Sequence, residues 1–365
     1  MPTLESELIL NPAKTGVQVA IEPAVNALGS LLFLSRVKTF SGLDPWIVET
    51  AESLNRGLLL ANQVVMQGLF YAWTPERSWH SFISYVDHLE ASDPLALRDR
   101  ILETYLDLPC RKEKETEIAS LSKDELLSDF DTFIAYLQSK FGEDHVDEVI
   151  EKEAYRLLLY PEKMQSYIVS HFRTMWTEVL ENEWERVYPL IEESAHAFQQ
   201  VNIDQMSEQD AVRFITGHTD DKLDWLIEQT KRLVFIPTTH SGPYSLPFIS
   251  EDTVWILFSV RLPEGLPRST SVLSRSELLV RLTALADETR LSILAITSER
   301  EQICSQELID ILGMSQSSVS RHLRQLSASG FLRERRTEAG KCFTINSERL
   351  KDTLHALEVL FSEQS

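Results

Sequence analysis

The stretch Ser315 to Leu332, SQSSVSRHLRQLSASGFL, constrains this chain more than any other part. Val319, Leu323 and Leu326 recur at helical spacing, so the segment carries one apolar stripe that must lie on a core. Gln316, Ser317, Ser320, Arg321 and Arg324 fall on the other side. Ser315 suits the N-cap. Gln316, Ser317 and Ser318 then place oxygen-bearing side chains in the first turn, where backbone N–H groups without helical partners favour a phosphate. Gly330 is able to take positive φ and end the helix, and Phe331 and Leu332 return the chain to the core. Hydroxyl and amide side chains bond base edges or phosphates, and arginine pairs with the O6 and N7 of guanine. The pattern therefore predicts a helix built to lie in a DNA groove.

A hairpin is expected next. It runs from Leu332 to Arg336, turns through Thr337 to Gly340 and returns through Lys341 to Ile345, with Phe343 and Ile345 on one face by the two-residue period. Arg333, Arg335, Arg336 and Lys341 decorate it. From Ser317 to Phe343 there are six Lys/Arg against two acids, an excess of positive charge in a chain whose net charge is −21. Upstream, SQELIDILG at 305 to 313 reads as an amphipathic helix with Leu308, Ile311 and Leu312 on one face and Gly313 at its end. Two helices joined by so short a turn, the second with the polar face, make a helix-turn-helix.

Further upstream lies LLVRLTALADETRLSILAIT, 278 to 297. With these motifs in this order, the region from about Ser276 to Phe361 resembles the ArsR-type winged helix-turn-helix regulators, in which LADxTRLxIL precedes the helix pair and SxSxVSxHLxxL forms the recognition helix. Glu288 departs from the proline often found there, and glutamate at a helix N-terminus is also favourable. The resemblance implies a dimeric regulator, usually a repressor released from its operator by a ligand. It implies DNA contacts from Gln316, Ser317, Ser318, Ser320, Arg321 and Arg324, beside the capping Ser315, with wing contacts from Arg335, Arg336 and Lys341. His322 fits the motif's histidine, either as a partly buried residue that steadies the turn or as a phosphate contact.

Metal sensing is a theme of such regulators, and these residues argue against it. A thiolate site in the first helix of the pair needs two or three close cysteines, and ICSQEL offers Cys304 alone. In the last helix Asp352 and His355 stand at i and i+3 without a second histidine. No metal and no cofactor is expected. Cys304 reads as a small core residue and Cys342 as a wing residue facing away from Phe343 and Ile345. With Cys110 distant as well, the spacing implies no disulfide framework, as in a reducing cytoplasm.

At 365 residues, with 43% hydrophobic and 25% charged, the chain has room for two or three domains of ordinary soluble composition. No signal peptide is expected, and the apolar stretch Leu58 to Phe70 is broken by Asn62, Gln63 and Gln67, as a buried helix face and not a membrane span. From Ser276 onward 11 Lys/Arg meet 13 acids, so residues 1 to 275 hold 24 against 43 and carry the acidity. The boundary falls in RLPEGLPRSTSVLSRS, rich in Pro, Gly and Ser. The reading is a mainly α chain: a helical domain at 1–265 with a small β-hairpin, a linker at 266–275 and a winged helix-turn-helix at 276–365.

Within the first domain, Val234 to Pro237 and Thr253 to Val260 read as two hairpin strands around THSGPYSLPF, and Val17 to Ile21 as a short strand. Asp44-Pro45, Thr74-Pro75 and Asp93-Pro94 each place a capping residue before proline at a helix start, and Ser122 with Glu125 makes a capping box. Helices are expected over 143–160, 161–187, 207–216 and 221–232. RKEKETE at 111–117 reads as a solvated loop or helix end. Trp73, Trp79, Trp176, Trp184, Trp225 and Trp255, and His80, His88, His171, His196, His218 and His240, are scattered, and the tryptophans read mainly as core. No HExxH, Gly-rich phosphate loop or GxSxG occurs. No catalytic residue is assigned.

These readings converge on a cytoplasmic, homodimeric, sequence-specific regulator, read as a repressor and not an enzyme. Its partners are an operator in double-stranded DNA and a small-molecule or protein effector at the N-terminal domain, with no membrane. The alternatives are a winged helix that docks on a protein without DNA, and a helical enzyme fused to a DNA-binding tail.

Overall fold

The computed structural model describes residues 16–107, 121–201, 203, 206–217, 230, 232–250, 253–263, 275–300, 302–337 and 340–362. The linker at 266–275, apart from Arg275, lies outside them, as do the stretch at 111–117, Cys110, His218, Trp225 and all of the helix expected at 221–232 except Thr230 and Arg232.

The first half is organised by a sheet with both faces covered. Strands β1 (Val17–Val19), β2 (Arg232–Thr238), β3 (Leu246–Ser250) and β4 (Thr253–Ser259) lie in the order β1-β2-β4-β3. The hairpin expected from β2 and β4 does not form. They pair in parallel, Val234 opposite Trp255, and β3 runs antiparallel on the outside of β4. The cause is visible in TVWILFS: Val254 to Phe258 are all buried, and a strand covered on both faces reads as a continuous apolar run, the mark of a parallel sheet. Val234, Ile236, Trp255 and Leu257 enter one core. Leu233, Phe235, Val254, Ile256 and Phe258 enter the other.

Over the first face lies α1 (Pro23–Ser35), in which every residue after Pro23 is buried. A helix apolar around its whole circumference belongs at the centre of a layered core. Asn26 ties it to the sheet, donating Nδ2 to the Pro237 carbonyl at 3.0 Å. Against it pack α2 (Pro45–Ser53), α3 (Arg56–Gln63) and α4 (Phe82–Ala91), and α5 (Pro94–Asp107), α6 (Lys123–Leu126), α7 (Phe130–Phe141), α8 (Glu148–Leu158) and α9 (Pro161–Met175) extend the same core. The second face is covered by α10 (Glu181–Gln199) and α11 (Glu208–Thr216) through Ala195, Phe198, Ala211, Val212 and Ile215. Trp73 and Trp255 are buried in the first core.

Most start signals act as expected. Asp44 accepts from the Trp46 N–H at 2.9 Å, Asp93 from Leu95 at 3.1 Å, and Ser122 and Glu125 close a capping box. Thr74-Pro75 begins no helix, because the Thr74 hydroxyl turns back to the Phe70 carbonyl at 3.2 Å. The next helix, α4, is capped by Ser81. The helix expected from residue 143 starts at Glu148, where Asp147 caps α8, after a short 3-10 turn at Glu143–His145. The one expected to stop at 187 continues instead through a π turn at Trp176–Leu180 into α10, with Pro189 inside it.

The C-terminal part has its own core. It comprises α12 (Arg275–Leu285), α13 (Glu288–Ser298), β5 (Ile303–Cys304), α14 (Ser305–Leu312), α15 (Gln316–Ala328), β6 (Leu332–Thr337), β7 (Gly340–Ile345) and α16 (Ser347–Ser362). Leu308, Val319, Leu323, Leu326, Phe331 and Phe343 are buried together. Arg290, inside the TRL motif, is buried, and its Nε and Nη2 donate to the carbonyls of Ala284 at 2.6 Å and Thr283 at 2.8 Å. It thereby satisfies carbonyls left without helical partners at the end of α12. Among the described residues no helix is long and apolar enough to cross a membrane.

Candidate nucleic-acid interface

The turn between α14 and α15 is held by Gly313 at φ 62°, a left-handed conformation that glycine adopts without steric cost. Ser315 then caps α15. Its Oγ accepts from the Ser318 N–H at 3.3 Å and lies 3.0 Å from the Ser318 hydroxyl and 3.1 Å from that of Ser317. The first turn thus presents a cluster of hydroxyls at the positive end of a helix dipole. Val319, Leu323 and Leu326 face the core, and Gln316, Ser317, Ser320, Arg321 and Arg324 are exposed. Gly330, at φ 78°, follows the end of the helix.

The wing is the antiparallel pair β6–β7, with Arg335 opposite Cys342 and Arg336 opposite Lys341. Arg335 is exposed. Lys341 is half-buried, and its Nζ pairs with Glu334 at 2.6 Å, so part of its charge is already met within the wing.

One placement decides between the alternatives of the sequence reading and two differ from it. His322 is buried, with its Nδ1 3.6 Å from Asp287. Burial pushes its imidazole below the usual range, opposed by the Asp287 carboxylate and reinforced by Arg290 and Arg321. A buried ring has no path to a phosphate, so the phosphate contact gives way to the reading of a residue that steadies the turn. Second, Arg324 is exposed but engaged. Its Nη1 donates to the Thr39 carbonyl at 2.8 Å, and its guanidinium lies 5.4 Å from the centre of the Phe40 ring. Gln325 is buried beside it against Gly42, where a Cβ would fall 2.0 Å from the Gln325 Nε2. The C-terminal half of the recognition helix is therefore seated on the loop between α1 and α2, which contains FSGLD. Nothing local in either segment announces this contact, though Gly42 at φ 79° marks a special backbone.

Third, Cys304 and Cys342 are joined by a disulfide. They were expected to be separate, one in the core and one on the wing. Strand register decides otherwise: β5 pairs with β7, Ile303 opposite Phe343 and Cys304 opposite Cys342, with Cα atoms 3.8 Å apart. Among the described residues no group of three or more His, Cys, Asp or Glu is placed to hold a metal ion.

Beside the contact, a small cleft of about 40 Å³ runs between the two halves, lined by Thr216, Tyr244, Arg261, Arg281, Ser329 and Arg349 among others. α12 and α16 pack together yet leave Leu279, Leu354, Leu360 and Phe361 exposed.

A family profile described as a helix-turn-helix domain matches residues 285–335. The chain is 46% identical over 52 residues to the arsenical resistance operon repressor of Escherichia coli, a match covering 14% of this chain and 44% of that repressor. It is 30% identical over 77 residues to an uncharacterized HTH-type transcriptional regulator of Methanocaldococcus jannaschii, covering 21% of this chain and 86% of the regulator. The chain thus spans less than half the length of the E. coli repressor. These matches, with the helix pair and its exposed polar face, support a DNA-binding transcriptional regulator.

Proposed function

Because the chain belongs, through its C-terminal domain, to the helix-turn-helix transcriptional regulators of ArsR type, we propose that it is a sequence-specific repressor whose α15 enters the major groove while the wing touches the adjacent backbone. The observation that carries the reading is the exposed face of Gln316, Ser317, Ser320 and Arg321 on a helix whose opposite stripe is fixed in a core. Arg321 is the candidate base reader, the serines and Arg335 hold phosphates, and Arg336 and Lys341 add charge to the wing.

The chain works as a homodimer. An exposed apolar strip on two packed helices, Leu279, Leu354, Leu360 and Phe361, suits burial against its own copy about a two-fold axis. The operator is then an imperfect palindrome with half-site centres about 10 base pairs apart, or a multiple of that. Residues 1–265 form a regulatory domain that receives a small-molecule or protein effector, joined by 266–275 to the DNA-binding domain at 276–365. The seat of α15 on the loop containing Thr39 and Phe40, with the cleft beside it, gives an effector a route to the recognition helix. The chain acts in the cytoplasm and catalyses no reaction.

The test is to recover genomic fragments bound by the purified protein and measure their affinity as salt is raised. A steep fall in affinity on one palindromic sequence is expected. A flat salt response, or capture of a protein and no DNA, would replace this reading with a protein-docking one.

A further inference from the structure

The disulfide between Cys304 and Cys342 lies where the DNA-binding elements meet. Cys304 ends β5 and directly precedes α14, the first helix of the pair; Cys342 lies on the returning strand of the wing. The strand pairing between them covers two residues on each side, and one further bond, from the Ser305 hydroxyl to the Lys341 carbonyl at 3.1 Å, supports it. So short a ladder holds a wing weakly, and a covalent link across it changes the wing's freedom more than it would in a long sheet.

The two sulfurs differ in access. Cys342 is fully buried, whereas Cys304 is partly exposed. Cys304 also stands at the N-terminus of α14, where the helix dipole favours a thiolate, the form that reacts, opposed by the Glu307 carboxylate that accepts from the Cys304 backbone N–H at 2.8 Å. One cysteine open to solvent in a position that stabilises its anion, with a second held opposite it by register, is the arrangement of an attacked thiol and a resolving thiol. A disulfide in a protein that works among reducing thiols is characteristically transient and sensing.

We propose that Cys304 and Cys342 form a reversible oxidation site for a peroxide, and that its state sets how firmly the wing is held for operator binding. The Cys304 thiolate attacks one peroxide oxygen, the O–O bond breaks, and with one proton taken up water or an alcohol leaves, giving a sulfenic acid. The Cys342 thiol then attacks that sulfur, the S–O bond breaks, and the second oxygen leaves as water with the thiol proton. Two thiols lose two electrons and the peroxide gains them. A dithiol reductant restores the pair by thiol–disulfide exchange.

In the disulfide-linked structure the recognition helix and wing are both in place. Fixing the wing in advance tightens operator binding by about two- to ten-fold, the scale of ordering a few side chains before contact. This second step rests on the DNA-binding reading; the oxidation chemistry does not.

The test uses the full chain carrying Cys110→Ser, reduced with dithiothreitol, freed of reductant and titrated with hydrogen peroxide. Both remaining thiols should disappear together, the chain should not become linked to a second chain, and peptide mass mapping should find the 304 and 342 peptides joined with the loss of two hydrogens. Cys342→Ser should instead stop at a trappable sulfenic acid on Cys304. Persistence of both thiols, an intermolecular bond, or over-oxidation of Cys304 with Cys342 intact would overturn the site. Anisotropy on the recovered operator should then find the oxidised form tighter, and equal or weaker binding would overturn the wing's role. If neither form binds DNA while the disulfide forms, the regulator reading fails and the oxidation site stands.

Discussion

Arg321 and Arg324 lie one helical turn's neighbourhood apart on the same exposed side of α15, yet replacing them should have very different effects on DNA binding. Arg321 is exposed and close to the N-terminal half of the helix that a groove admits. If it reads a base, Arg321→Ala costs about 1–3 kcal/mol, a loss of affinity of about 5- to 150-fold. Arg324 already has partners to surrender. A charged hydrogen bond such as the 2.8 Å one to Thr39 contributes about 1.5–3 kcal/mol when protected. The Phe40 ring adds about 0.5–1 kcal/mol, and solvent reduces both because Arg324 is exposed. Against them stands Arg36, whose burial lowers its pKa and whose charge is repelled by Arg324.

What Arg324 gains from a phosphate is therefore close to what it gives up, and Arg324→Ala should change operator affinity by less than about three-fold. Phe40→Leu, which keeps an apolar side chain but removes the ring face, should release Arg324 and tighten binding by about two- to five-fold. Fluorescence anisotropy on one operator at one salt concentration decides this. An Arg324→Ala loss as large as that of Arg321→Ala, with Phe40→Leu unchanged, would mean that the docked arrangement has no part in DNA binding.

Other perturbations have equally definite outcomes. Arg335→Ala should flatten the plot of log affinity against log salt by about one unit while leaving sequence preference intact, as read from titrations at several salt concentrations. Phe361→Asp, at an exposed position on α16, should shift the protein from dimer to monomer in sedimentation velocity without lowering its melting temperature as a core substitution would. His171 is buried, its Nε2 3.1 Å from the Asn62 Oδ1, and burial pushes its pKa down to about 4. The native state therefore binds fewer protons than the unfolded chain between pH 6.5 and about 4, so stability present above 6.5 is lost as pH falls through that window. Urea titrations should find this acid-side loss, on the order of 3 kcal/mol, and His171→Gln should remove most of it.

The helix-turn-helix was legible because its signals are local. Ser315 caps, the 319/323/326 stripe buries and Gly330 turns, each within a few residues of what it acts on. Thr74-Pro75 looked equally local and failed, since one hydroxyl had a carbonyl four residues back to satisfy. At α8 the Asp147 side chain, accepting from Val149 at 3.0 Å and Ile150 at 3.3 Å, fixes a later start than the periodicity suggested. The parallel pairing of β2 and β4 was present in the unbroken run of TVWILF, but proximity in sequence favoured a hairpin. The partners of Arg324 and of Cys304 were not legible. The first lies 285 residues away and the second 38, and only the assembled fold brings them together.

The acidity of the first 275 residues bears on how salt must act. Their excess of acids over Lys/Arg contrasts with the near-balance after Ser276, yet the seat of α15 is made of a backbone carbonyl and a ring, not of carboxylates. The acidic half thus leaves the charge on Gln316 to Arg321 unneutralised and acts on DNA only through its field, which salt screens beyond about 8–10 Å. Raising salt then has two opposed effects: phosphate contacts weaken at a slope of about −0.9 each, while repulsion between the acidic half and the backbone is relieved. The full chain should consequently show a shallower salt slope than its phosphate contacts alone require. Replacing exposed acids of residues 16–107 with amides should steepen that slope, and an unchanged slope would mean that the two halves do not share a field at the DNA surface.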